Sequence, residues 1–181
     1  GVGEHSRIDA GSLSYPKYTN SAGNSWGLGQ GACDYERSFS GVTGLVNGDH
    51  VYYSFLMRLN SPLDAFSSGR FTLYNAVAPT SSGLTFGFGT SDYTAGKMGF
   101  SLSSRQSSWA LAPSATLIKT SETYDAADTV HLIVLGYNRG ANAAGSSVEL
   151  WIDPDSSSFG TTPPTATLSL ASYQSAGAYA N

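Results

Sequence analysis

The period of its apolar residues constrains this chain more than anything else. Apolar side chains recur at every second position or in short unbroken runs, and almost nowhere at the three-to-four spacing of a helix face. The runs are rich in β-branched and aromatic residues and are bounded by Gly, Ser, Asn or Pro, as strands between turns require. The clearest are Val51–Leu59, Phe71–Tyr74, Leu84–Phe88, Met98–Leu102, His131–Tyr137, Ser147–Ile152 and Ala166–Leu170. Turn chemistry punctuates them at Asn47-Gly48-Asp49, Ser68-Gly69, Ser81-Ser82-Gly83, Asn138-Arg139-Gly140 and Pro163-Pro164. One helical turn is suggested at Ser61–Phe66, with Ser61 as cap and Pro62 in first position. About ten irregularly spaced strands, with no repeat at the period of a propeller blade, predict a single all-β domain over 1–181, an antiparallel two-sheet sandwich.

Composition narrows the function. Charged residues make up 12% of the chain, half the usual share of about 25%. Hydroxyl and amide groups therefore solvate the surface, which suits an exported β protein. The net charge of −4 and the scattered Lys and Arg offer no basic stripe to phosphates, so nucleic acid is excluded as a partner. Cys33 is the sole cysteine, which rules out an intrachain disulfide, and no Cys/His spacing suggests zinc. No Asn-x-Ser/Thr acceptor occurs, which favours a bacterial over a eukaryotic secretory source. No apolar run approaches the roughly 18 residues of a membrane span. Gly1 opens no signal peptide, so the expectation is a mature secreted or cell-surface chain.

Four segments carry a family resemblance: Gly11–Pro16, Val51–Leu56, His131–Val134 and Val148–Pro154. Together they resemble the laminin-G-like, concanavalin-like jelly-roll domains of exported bacterial proteins. The resemblance spans most of the chain and implies a jelly-roll sandwich, with no catalytic motif among its segments. Such domains usually continue into a final strand holding an acidic pair, an Arg and a Trp, whereas this sequence stops at Gly177–Asn181. The expectation is a domain whose closing strand is missing or is supplied by another chain, since an open sheet edge templates strand addition.

Several motifs fit by letter and fail by context. Gly23-Asn24-Ser25-Trp26-Gly27 matches a nucleophile elbow, but neither flank supplies the strand and helix an elbow needs. Gly27–Ala32 matches a dinucleotide fingerprint without a βαβ unit, and Gly140–Ser147 imitates a phosphate loop with Ser146 where Lys belongs. Glycosidases set two carboxylates roughly 5–5.5 Å or 6.5–9.5 Å apart. Asp34 and Glu36 pass, at about 7 Å between Cα atoms on one strand face, whereas Glu149 and Asp153 would stand about 13 Å apart. The bland reading pairs Asp34 and Glu36 with Arg37 or with solvent. A lyase would need His131, Tyr137, Arg139 or a similar set to converge on one sheet. Asp153-Pro154-Asp155 offers two oxygen ligands to calcium where six to eight are needed, so a turn is the better reading and no cofactor is expected.

The aromatics carry the functional expectation. If Val148, Leu150 and Ile152 face the core, alternation turns Trp151 outward together with Glu149 and Asp153. A Trp face packs on the apolar side of a pyranose while acids accept its hydroxyl protons. Trp109 and Trp26, in Ser- and Gly-rich surroundings, are candidates to join it, against the alternative that each Trp simply covers core. The sequence therefore argues for a noncatalytic, lectin-like domain that binds polysaccharide or glycan. Two alternatives stand beside it: a structural or adhesive subunit that self-associates through an open sheet edge, and a polysaccharide hydrolase or lyase.

Overall fold

Nine alternating residues with one apolar face, His50–Arg58, make a strand at one end of the first sheet. In the computed structural model the chain is described at residues 7–9, 13–15, 25–27, 46–58, 68–74, 82–89, 96–106, 117–121, 123–125, 129–141 and 145–171. The strands in chain order are β1 (Arg7–Asp9), β2 (Ser25–Gly27), β3 (His50–Arg58), β4 (Ser68–Tyr74), β5 (Ser82–Gly89), β6 (Lys97–Gln106), β7 (Leu117–Lys119), β8 (Tyr124–Asp125), β9 (Val130–Asn138), β10 (Ser147–Ile152) and β11 (Leu168–Ala171). A 3-10 turn, Ser156–Ser158, is capped by the Asp155 carboxylate, which accepts from the Ser157 N–H. No helix among the described residues is long and apolar enough to cross a membrane.

The result is an all-β sandwich of two antiparallel sheets. One sheet has the order β11-β10-β9-β3, and the other runs β4-β5-β6-β7 with β8 also paired to β6. The chain leaves the first sheet after β3, lays down β4 to β8 as the second layer, and returns so that β9 pairs with β3 along its whole length, from His50 opposite Asn138 to Arg58 opposite Val130. A separate small pair joins β1 to β2, with Trp26 opposite Ile8 and Ser25 opposite Asp9. Ser25 thus opens a short strand, and the rest of the Gly23–Gly27 stretch on its N-terminal side falls outside the described residues. Ser68-Gly69 and Ser82-Gly83, expected as turns, instead open β4 and β5 and pair with Phe88-Gly89 and with Tyr74 and the end of β6. Asn47-Gly48 is a true turn: Gly48 has φ 94, where only glycine is unstrained, and the Asp49 N–H bonds back to the Val46 carbonyl at 3.1 Å.

The core lies between the layers. Phe86, Met98, Phe100 and Leu102 of the second sheet meet Ile133, Leu135, Tyr137, Val148, Leu150, Ile152 and Leu170 of the first. Phe86 joins the layers: its ring stacks on Phe100 at 5.7 Å within its own sheet and meets Phe55 edge-on at 5.8 Å across the gap. Strand β9 is apolar on both sides, and both sides are covered. His131, Ile133, Leu135 and Tyr137 face the core, while Leu132 and Gly136 on the opposite face are also buried. The unbroken run His131–Tyr137 is thus a centrally placed strand with cover on each face. Cys33, Asp34, Glu36, Trp109, the Ser61–Phe66 segment and the 177–181 end fall outside the described residues.

Candidate functional site

Strand alternation divides the first sheet into a core face and an outer face. On the outer face, register places Tyr52, Gly136 and Glu149 in one cross-strand row, with His50, Asn138 and Ser147 in the next. Trp151 lies on the same face, opposite Val134, and takes no part in the inter-sheet core. The expected direction of Trp151 is therefore the observed one, but its exposure is not: only 4% of its surface meets solvent. Its six-membered ring lies over Gly136, its edge meets Tyr52 at 6.0 Å between centroids, and its indole N–H donates to the Pro164 carbonyl at 2.9 Å. The Pro163–Thr167 return closes down beside it, with Thr167 Oγ1 accepting from the Ile152 N–H.

On this face, among the described residues, the aromatic surface left to solvent is Tyr52, 48% exposed and backed by the Trp151 edge. Gly136 makes this packing possible. A Cβ there would stand 2.8 Å from Trp151 Cζ3 and 3.1 Å from Tyr52 Cε1. Gly136→Ala is accordingly expected to displace both rings and cost about 1–3 kcal/mol, the range for overpacking a tight site. Urea melts read the loss, and a change in the near-ultraviolet tryptophan signal reads the displacement.

Beside Tyr52 runs a continuous set of hydrogen bonds. Asn138 Nδ2 donates to Ser147 Oγ and to Glu149 Oε2, both at 3.0 Å, and His50 Nδ1 meets Asn138 Oδ1 at 2.5 Å. Glu149 only accepts, which fixes the orientation of the Asn138 amide and in turn makes His50 Nδ1 the donor to Asn138 Oδ1. Tyr52 and Glu149 stand two strand spacings apart, about 10 Å between Cα atoms, with the Trp151 ring over Gly136 between them.

Asp153 does not join this face. It follows β10 in a left-handed conformation, φ 50, the only such non-glycine among the described residues and one that Asp tolerates. That turn carries its carboxylate to His131: Oδ2 meets His131 Nδ1 at 2.6 Å and Oδ1 accepts from the Leu132 N–H at 2.8 Å. His131 is 3% exposed, held edge-on between Phe100 and Tyr124, and its Nε2 faces the Asp125 carbonyl at 2.9 Å. A carbonyl and a carboxylate both only accept, so the imidazolium is the form that satisfies both nitrogens. Burial pushes the His131 pKa down, but the Asp153 hydrogen bond, the Asp125 carbonyl and the two acidic charges outweigh it and the net shift is upward. Tyr15 is hydrogen-bonded to the same carboxylate, and burial together with the charge of Asp153 pushes its hydroxyl up to about 12. With both ring nitrogens occupied and no solvent access, His131 is a clamp between the ends of β8 and β10, not a base facing a cleft. Tyr137, the partner expected for it in a lyase, is also buried in the core.

Of the sugar-site candidates, then, Glu149 and Trp151 share the outer face and Asp153 serves the buried clamp. Trp26 lies in β2, with its side chain, like Trp109, outside the described residues. The carboxylates of Asp153 and Asp155 are both taken by protein donors, which is the turn chemistry of this stretch. Among the described residues no three His, Cys, Asp or Glu come together as a metal site. Tyr52, His50 and Asn138 were not expected as site residues. The available signal was the Tyr52-Tyr53 doublet, since consecutive residues of a strand point to opposite faces and one of two tyrosines had to face outward. No protein-family model, curated protein or solved structure matches this chain.

Proposed function

We propose that this protein is a noncatalytic, extracellular carbohydrate-binding domain of the laminin-G-like jelly-roll kind, and that its glycan lies on the outer face of the β11-β10-β9-β3 sheet. The observation that carries this reading is the half-exposed Tyr52 ring beside the His50–Asn138–Glu149 row. A sugar needs an apolar face for its C–H groups and polar groups at its rim for its hydroxyls, and these two surfaces are adjacent here. The ring of Tyr52 is backed by Trp151 and so is presented with little entropy left to lose on binding. Burial of His131 and Tyr137 within the core favours binding over lyase chemistry on this sheet.

A polysaccharide panel with Tyr52→Ala as its control tests the proposal. Wild-type protein is expected to retain at least one glycan, and Tyr52→Ala to bind it about 10- to 30-fold more weakly, equivalent to about 1.4–2 kcal/mol. Binding that is indifferent to Tyr52, or no binding across the panel, overturns it.

A further inference from the structure

The chemistry of the outer face specifies the kind of sugar, on the reading that a glycan binds there. In the row beside Tyr52 the N–H groups are already spent. Both hydrogens of the Asn138 amide go to Ser147 Oγ and Glu149 Oε2, and His50 Nδ1 donates to Asn138 Oδ1. What remains to a ligand is the second carboxylate oxygen of Glu149 and the π face of Tyr52. Each is electron-rich. Asp49, whose carboxylate accepts from the Val46 N–H at 2.7 Å, precedes His50, so alternation carries it to the opposite face. Arg58 lies at the far end of β3, about 26 Å along the strand. Arg139 continues the β9 ladder through its bonds to Gly48 and Asp49, so alternation carries it to the face opposite Asn138.

We propose that the ligand of this face is a cationic amino sugar, a glycan with a free protonated amine. Its ammonium donates to Glu149 and its ring lies against Tyr52, where the charge also gains from the aromatic quadrupole. Uronates and sulfated sugars bring negative charge against the Glu149 carboxylate and are rejected.

Calorimetry on the intact chain tests this with three short oligosaccharides of equal length: a β-1,4-glucosamine oligomer at a pH that keeps its amines protonated, its fully N-acetylated counterpart, and an oligouronate. The glucosamine oligomer is expected to bind about tenfold or more tighter than the acetylated one, the factor one charge-assisted hydrogen bond supplies, and the oligouronate not to bind. Glu149→Gln is expected to bring the first two affinities together, and Asp155→Asn, remote from the face and equal in charge change, to leave their ratio as it is. Equal or tighter binding of the acetylated sugar or the uronate, still dependent on Tyr52, overturns the amino-sugar specificity and leaves glycan binding standing. An equal loss in Asp155→Asn marks diffuse attraction of a polycation and overturns it as well. Failure of all three sugars to bind overturns the amino-sugar specificity, and glycan binding itself falls with it only if the polysaccharide panel is also blank.

Discussion

His131→Ala is expected to destabilise the protein by about 2–4 kcal/mol, from the cavity left by a buried ring and the loss of one partner of a half-buried ion pair. The ring is almost fully enclosed, makes edge-on contacts with Phe100 and Tyr124, and joins Asp153 to the Asp125 carbonyl. Its loss leaves a cavity between two aromatic rings and an Asp153 carboxylate held only by the Leu132 N–H and Tyr15. The pH dependence separates the charge from the packing. A folded-state pKa raised above the unfolded value of about 6.5 means that the native state holds the proton more tightly. This contribution is complete below about pH 6.5 and is lost as pH rises through the folded value, so unfolding free energy falls across that window. Tyr15, pushed up to about 12, keeps its proton throughout it, and the lowered Asp125 pKa, set by the Lys97 ammonium, acts only in acid. Denaturant midpoints measured from pH 5 to 9 should therefore slope downward in the wild type and be flat over this window in His131→Ala. In His131→Gln, which can keep one donor without a charge, the slope should vanish while part of the stability returns. A wild-type profile that is flat, or a slope that persists without His131, would mean that the pair is not ionised.

The pair also marks where the sequence stops being readable. His131 is visible as the head of an apolar strand, but its partner lies 22 residues on, and only the left-handed turn at Asp153 brings the carboxylate round. Period-two counting continues the strand instead and places Asp153 beside Trp151. All seven strands with a readable alternation are present, because two-sided or one-sided burial leaves its mark on four or more residues. Strands β1, β2, β7 and β8 were not legible, being two or three residues long and so shorter than any period. Ser68-Gly69 and Ser82-Gly83 read as turns because of their composition, although a strand end tolerates glycine when its pairing partners supply the packing. For the site, alternation correctly turned Trp151 and Glu149 outward. Tyr52 and Asn138 join them through the β3–β9 and β9–β10 registers, which connect residues as far apart as 52 and 149 and leave no local trace.

Trp151→Ala is expected to cost about 3–5 kcal/mol, as for a large aromatic removed from a closed site. An indole lying free on a sheet as a sugar platform would be worth little to the fold, since exposed substitutions usually stay within about 0.5 kcal/mol. The two views of this residue therefore differ severalfold in a chemical melt. The observed cover over Trp151, from Gly136 beneath, Tyr52 at its edge and Pro164 at its nitrogen, predicts the large value. Trp151→Phe keeps a ring above Gly136 but has no N–H for the Pro164 carbonyl, and should lose about 1 kcal/mol for that bond plus the smaller ring's packing. Glycan affinity should fall in both variants although neither removes a group that touches the sugar, because Tyr52 loses the edge that holds its ring in place. If Trp151→Ala proves as stable as the wild type yet cannot bind, the indole itself is the platform and the sugar displaces the Pro163–Thr167 return. If it is destabilised and Trp151→Phe recovers stability and binding together and in part, the platform is Tyr52, and the tryptophan serves recognition only by filling the space that Gly136 leaves.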